Sequence, residues 1–276
     1  MFEILSVFFQ KKHIELFGAI PLSSCKIVKP YLLERESITD GTVFVFAVPY
    51  LTKDALAQDR NISAYAISKD YHLFFSTLFW EILPSLQVAY PMQRFRGFAD
   101  HSPIDEVHAA ASAGLGVIGK NRLLITEKYS SYVFLGEIIT DAKLDVFAKE
   151  ILFCRGCGQC IKACPAKGAG MECLSALTQK KGELSKAEEN HIINNQTAWG
   201  CDLCQEVCPY TCKAIQNGTI FSPIPFFHQS PLPHLTLQMI EEMCDSDFSE
   251  RAYAWRKKET ILRNLRILEK VDKKGD

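Results

Sequence analysis

CRGCGQCIKACP at residues 154–165 and CDLCQEVCP at residues 201–209 decide how this chain is divided. The first run sets Cys154, Cys157, Cys160 and Cys164 at C-x2-C-x2-C-x3-C-P spacing, whereas the second has only Cys201, Cys204 and Cys208. Tight x2 turns aim successive thiolates into one pocket, and the x3 cysteine turns away to a neighbouring cluster, the pattern of a module holding two 4Fe–4S cubanes. A single C-x2-C pair would serve zinc or a redox dithiol equally well; three cysteines at x2 spacing followed by C-P favour iron–sulfur over structural zinc. In the ferredoxin arrangement Cys154, Cys157 and Cys160 hold one cluster with Cys208, and Cys201, Cys204 and Cys164 hold the other. That leaves one corner open. Cys173, in MECLSALTQ between the runs, and Cys212, just past Cys208, are the candidates for it. Pro165 and Pro209 break each ligand turn.

The chain has 276 residues, 47% of them hydrophobic, enough for one large core or two modest ones. Its formal net charge of -1 gives no global attraction to nucleic acid or anionic membrane, so any such contact must come from a local patch. The start, MFEILSVFFQKK, has Glu3 before its apolar stretch and lysines after it, the reverse of a secretory signal. No apolar run approaches the roughly 20 residues of a membrane span. A soluble, cytoplasmic protein is expected. Of 11 cysteines, the first 150 residues contain only Cys25, so a disulfide framework stapling the whole chain is not expected. Cys25 and Cys244 read as ordinary buried thiols.

Ahead of the cysteines, an amphipathic start over 2–14 leads to a strand near Leu16–Pro21, a helix around Lys26–Glu36 and an apolar strand in TVFVFAVPYL (42–51). A long helical pattern runs from about Ala64 to Leu86, its aromatic residues placed for a core. A strand at Arg94–Ala99, a helix near Pro103–Ala113 and two strands in RLLIT and YVFLGEIIT follow. The expected fold class is α+β: an N-terminal α/β domain over 1–148, a ferredoxin-like two-cluster domain over 149–220 and a short helical segment over 221–276.

The stretch ADHSPIDEVHAAASAGLGVIGKN (99–121) is the most informative part of the first domain. Ser102, Pro103 and Asp105 read as N-cap, first-turn proline and N3 acid, which leaves Asp100 spare, in an Asx turn or projecting into a cleft. GLGVIGK ends a helix instead of opening one, with Gly114 placed as a C-cap, so it is a weak nucleotide-binding signal. Its glycines allow backbone to approach a flat or bulky ligand closely.

SAYAISKDYH (63–72), DHSPIDE (100–106), AGLGVIGKNRLLI (113–125), FLGEIITD (134–141), the first cysteine run, ECLSALTQKKGEL (172–184) and GCDLCQEVCPYT (200–211) together resemble, in order, the motifs of the epoxyqueuosine reductase family. The resemblance runs over about 15–270 and departs at Val117, where tryptophan is common, at His101, and in a short loop between Cys164 and Cys173. It implies a cobalamin-dependent enzyme with two 4Fe–4S clusters that reduces epoxyqueuosine to queuosine in tRNA. It implies Asp100 as proton donor and Cys173 as the missing cluster ligand. Corrinoid contacts are implied at Tyr71, Asp100, Gly116, Lys120 and Asn121.

Opening an epoxycyclopentane to a cyclopentene takes two electrons and protons and releases water. Side chains supply no electrons, so a cobalt corrinoid fed by the clusters from an external ferredoxin or flavodoxin is implied. A carboxylic acid in a largely apolar pocket would protonate the leaving oxygen. Longer family members continue past YAWRKKETILRNLRILEK (253–270) into helical repeats that help hold tRNA. Here Arg256, Lys257, Lys258, Arg263 and Arg266 are the candidates for a weak, salt-sensitive tRNA contact, and a monomer is expected. The other readings are an electron carrier without corrinoid and a corrinoid reductase of a small molecule.

Overall fold

TVFVFAVP has no polar face, and a strand of that composition needs cover on both sides. In the computed structural model, which describes residues 1–170 and 172–272, it forms a strand with all eight residues buried. The strands are β1 (Leu16–Pro21), β2 (Thr42–Pro49), β3 (Phe95–Phe98), β4 (Val117–Ile118), β5 (Leu124–Ile125) and β6 (Val133–Thr140). The main sheet has the order β1-β2-β6-β3, antiparallel throughout, and β4 and β5 make a small separate hairpin.

Alternation along β2 sorts its side chains between two helical layers. Phe44 and Phe46 meet α1 (Phe2–Lys11), with Phe2 5.2 Å from Phe44 and Phe9 4.7 Å from Phe46, centroid to centroid. Val43, Val45 and Ala47 turn the other way. They pack with Leu32 and Leu33 of α2 (Pro30–Arg35) and with Ala109, Ala110 and Ala111 of α4 (Glu106–Ser112). Between these in sequence lies α3 (Tyr71–Ala89), whose Phe75 and Phe79 join the Phe46 face at 6.0 and 6.3 Å. Gly136 is the socket for these rings: a Cβ there would stand 2.5 Å from Phe75 and 2.7 Å from Phe46.

Two helix starts differ from the expectation. Ala64–Ala66 forms only a 3-10 turn, and α3 begins at Tyr71, where the Asp70 carboxylate accepts the His72 N–H at 3.0 Å. The start of α4 is capped by Asp105, whose Oδ1 accepts the His108 N–H at 3.3 Å, and not by Ser102. The Ser102 hydroxyl instead accepts the Ile104 N–H at 3.3 Å, a local turn that keeps Pro103 out of the helix.

The chain folds as two compact units, each drawn from three separated segments. One takes residues 1–50, 74–157 and 209–224 and contains the sheets; the other takes 51–73, 158–208 and 225–276. The division expected at residues 148 and 220 follows the chain, whereas the compact units interleave along it. The second unit contains α5 (Gln159–Lys162), α6 (Pro165–Ala169), α7 (Leu174–Thr178), α8 (Lys186–Asn194) and α9 (Leu203–Glu206). Its C-terminal helix, Lys258–Asp272, packs on α7 and α8 through Leu174, Leu177, Ile192 and Ile267. Buried Asn264 on that helix donates to the Thr178 and Ala198 carbonyls at 2.7 and 2.8 Å. No helix among the described residues is long and apolar enough to cross a membrane.

Candidate active site and cluster ligands

The cysteine turns depend on backbone that only glycine adopts freely. Gly156 and Gly158 take φ of 74° and 77°, letting the chain reverse twice between Cys154 and Cys160. In the first unit the entry to these turns is fixed on the small hairpin: Ile118 N–H donates to the Leu152 carbonyl at 2.9 Å, and Cys154 N–H to the Ile118 carbonyl at 3.0 Å. In the second unit Gly158 precedes α5, Pro165 opens α6 directly after Cys164, and Cys173 is the residue before α7.

Cys201 shows which thiols stand together. Burial pushes its thiol up to about 12, and the charges of Asp202, Cys204 and Cys173 push the same way, while the Leu203 N–H opposes them. Cys173, Cys201 and Cys204 are thus neighbours in one unit. Cys208 is buried, and Cys212 is exposed on the helix Pro209–Gln216. Among the described residues no three His, Cys, Asp or Glu groups are drawn in to the spacing of a single-ion site. The thiolates of a cubane bind four different irons and stand wider apart.

Beside Cys201 lies a buried ion network absent from the sequence reading. The Asp202 carboxylate accepts from Arg60 Nη1 at 2.7 Å, from the Ala64 N–H at 2.6 Å and from the Ser63 hydroxyl, and Arg60 also pairs with Glu206. The Asp202 side chain is 1% exposed and that of Arg60 14%. Without Asp202, Arg60 keeps Glu206 and the Ile62 carbonyl but the buried Ala64 N–H and Ser63 hydroxyl lose their acceptor, so Asp202→Ala should lower stability by about 1–3 kcal/mol. Urea denaturation of the cluster-free protein measures it.

Asp100 sits just past the end of β3 with φ 64°, a left-handed conformation that aspartate tolerates better than most residues. It is exposed, and its backbone N–H donates to Glu106 Oε1 at 2.9 Å. Burial raises the Glu106 carboxyl to about 7; the N–H from Asp100 opposes this, and the Asp100 charge adds to it. Behind it Glu137, fully buried on β6, is raised well above the usual carboxylate range by burial and by the charge of Glu106. Glu137 was missed in the sequence, although it is the one charged residue in the strand VFLGEIIT.

A cavity of about 760 Å³ opens in the first unit, walled by Gly114, Leu115, Gly116, Val117, Ile125 and Tyr210, with Lys128 and Lys213 at its polar side. Its size is in the range of organic ligand sites, and Thr126, Glu127, Asn217 and Thr219 share its lining with the apolar side chains. Of the implied corrinoid contacts, Gly116 lies on this wall. Its lack of a Cβ admits the Ile125 carbonyl, which a Cβ would meet at 2.4 Å. The Lys120 side chain lies along Gly156, its Cε 3.6 Å from where a Cβ would be. Asn121 Oδ1 accepts the Leu123 N–H at 3.4 Å, and Tyr71 belongs to the second unit, where its ring stacks on His72.

The basic residues near the C-terminus divide in two. Arg263 donates to the Lys180 and Gly182 carbonyls, both at 2.6 Å, and Arg266 pairs with Glu241 at 3.1 Å, so both hold the fold. Lys258 donates to the Met243 carbonyl. Arg256 stacks on the exposed Trp255 ring at 3.8 Å.

The model of the 4Fe-4S double cluster binding domain matches residues 153–211. Among curated proteins, the epoxyqueuosine reductase of Gloeobacter violaceus is 33% identical over 199 residues, 68% of this chain and 61% of that one. That of Listeria monocytogenes is 34% identical, over 64% of this chain and 48% of its own length. That of Cyclobacterium marinum is 31% identical over 259 residues, 86% of this chain and 79% of that one. The chain thus spans from about half to about three-fifths of the first two and more of the third. Epoxyqueuosine reductase from Streptococcus thermophilus has the same fold, with a TM-score of 0.75 at 24% identity over 96% of this chain and 80% of that one. The Bacillus subtilis enzyme, solved with its catalytic aspartate loop swung out of the active site, superposes with the same TM-score at 23% identity, over 96% and 80%. With paired cysteine runs, a double-cluster domain and this degree of identity along most of its length, the chain belongs to the epoxyqueuosine reductase family.

Proposed function

We propose that the protein reduces epoxyqueuosine in tRNA to queuosine, using cobalamin and two 4Fe–4S clusters. The observation that carries this is Asp100: a carboxyl at the end of β3, in a left-handed turn anchored through its own N–H, in the unit that contains the cofactor-sized cavity. Structures of relatives include one with a tRNA-Tyr epoxyqueuosine-modified stem loop, which supports the same substrate here.

The roles of the chain's own residues follow. Cys154, Cys157, Cys160 and Cys208 hold one cluster, and Cys164, Cys173, Cys201 and Cys204 hold the other. Clusters held by these cysteines would supply one-electron transfer, with a ferredoxin or flavodoxin as the proposed donor. The backbone of Gly114–Val117, with Ile125 and Tyr210, would wall the corrinoid. Bound cobalamin supplies a low-potential cobalt centre, the electron delivery that no side chain offers. Asp100 gives its proton to the epoxide oxygen, which leaves as water once a second proton arrives. Lys120, lying along the turn at Gly156, and Asn121, which accepts the Leu123 N–H, are proposed with Tyr71 as further corrinoid contacts.

For tRNA, the candidate cations are exposed Lys257 and half-buried Arg256, whose guanidinium stacks on the exposed Trp255 ring. Loss of both charges should weaken tRNA binding and reduce its salt dependence. Arg263→Ala should instead lower the melting temperature, because two carbonyls lose their donor. Filter binding at several salt concentrations and a thermal melt separate the two effects. In a strain lacking the gene, the nucleosides of tRNA should contain epoxyqueuosine in place of queuosine. Unchanged queuosine there would remove the assignment.

A further inference from the structure

Glu137 is out of place for a strand. It faces Val45 on β2 and Phe98 on β3 across the sheet, in a run where a valine or isoleucine would continue the apolar pattern. Both of its carboxyl oxygens are buried without a hydrogen bond of normal geometry, and the residue is 0% exposed. A carboxyl in that state stays protonated. Next to it is Glu106, in the first turn of α4, whose Oε1 accepts the Asp100 N–H at 2.9 Å. The two carboxyls therefore form a stack that begins at the buried sheet and ends on the backbone of Asp100. Asp100 itself is in a conformation, φ 64°, that needs an external hold.

We propose that Glu106, backed by the neutral carboxyl of Glu137, is the positioning residue for Asp100, holding the 99–105 turn in its left-handed form. That this matters for turnover rests on the reading of Asp100 as the proton donor; the positioning itself does not. With one proton between them, the pair keeps Glu106 as the charged member, and a charged acceptor holds an N–H more strongly than a neutral one. Glu106 ionises at about 7, so the hold should tighten as pH rises through neutrality. The charged and titratable groups facing Glu106 are Asp100, Glu137 and Lys29, and those facing Glu137 are Glu106, the Ser102 hydroxyl and the Cys25 thiol. His101, held by Lys29 and Tyr31, and His108, against Asp105, stand on the same turn and helix.

Amide hydrogen exchange of the 99–105 peptide in the cluster-loaded protein tests this directly. After correction for intrinsic rates, wild-type protection should rise about fivefold between about pH 6 and about pH 8. Glu106→Gln keeps an acceptor oxygen and both imidazoles but has no charge to gain, so its protection should be flat over that range. Glu106→Ala should lose about tenfold in protection at the higher pH. A flat wild-type profile, or a Glu106→Gln profile that follows the wild type, would overturn the proposal even if the alanine variant fails to fold. In turnover at about pH 8, Glu106→Ala should lower kcat about tenfold with KM for tRNA unchanged, and Glu106→Gln, which holds the turn no better than the protonated carboxyl, about fivefold. If protection is lost while kcat holds, the positioning stands and the role of Asp100 as acid falls.

Discussion

Asp100→Asn is expected to lower single-turnover reduction by roughly 10²-fold or more, the scale of a general acid's contribution. The substitution keeps the size and shape of the side chain and removes its ionisable proton and its charge. Asparagine tolerates the left-handed φ of 64° as aspartate does, and the N–H that Glu106 accepts belongs to the backbone and remains. The α4 cap is made by Asp105, so helix and turn keep their support. Iron content and reduction of the clusters by dithionite should therefore match the wild type. Full activity in the variant would take Asp100 out of the mechanism, and loss of the clusters would show the residue to be structural.

Cys173→Ser is expected to cut iron from about eight per chain to about four, because one cubane loses its fourth thiolate. Cys212→Ser should keep about eight. The reason is local: Cys173 stands before α7 and acts on Cys201 together with Cys204, three thiols of one unit. Iron assay and low-temperature EPR of anaerobically reconstituted protein distinguish the two variants. The opposite result, iron lost with Cys212 and retained without Cys173, would reverse the ligand assignment.

That the cysteine runs form a double-cluster module was legible because the signal is local spacing, with glycines at 156 and 158 supplying the turns. The strands β1 and β2 were legible for a similar reason, since a short apolar run between polar flanks has few other uses. Where two local signals competed, the sequence was read wrongly. Ser102 and Asp105 both offer a cap, and only packing decided that the serine closes a turn of its own while the aspartate starts α4. The start of α3 failed in the same way, because the 3-10 turn at Ala64–Ala66 shares the helical periodicity.

The pair behind Asp100 was hidden for a different reason. Glu106 reads as an ordinary first-turn acid, and only the register of β6 in the sheet brings Glu137 to it. The Arg60–Asp202 network likewise joins residues far apart in the chain. A lone glutamate in VFLGEIIT and an aspartate between two cluster cysteines were the available signs. Each marks a buried carboxyl without naming its partner.

The most direct measurement is anaerobic incubation of the purified protein, reconstituted with iron, sulfide and cobalamin, with epoxyqueuosine-containing tRNA and a chemical reductant, followed by nucleoside analysis. The expected result is conversion to queuosine that requires cobalamin and is lost in Asp100→Asn. A protein with both clusters loaded and cobalamin bound that leaves the epoxyqueuosine intact would contradict the proposed function.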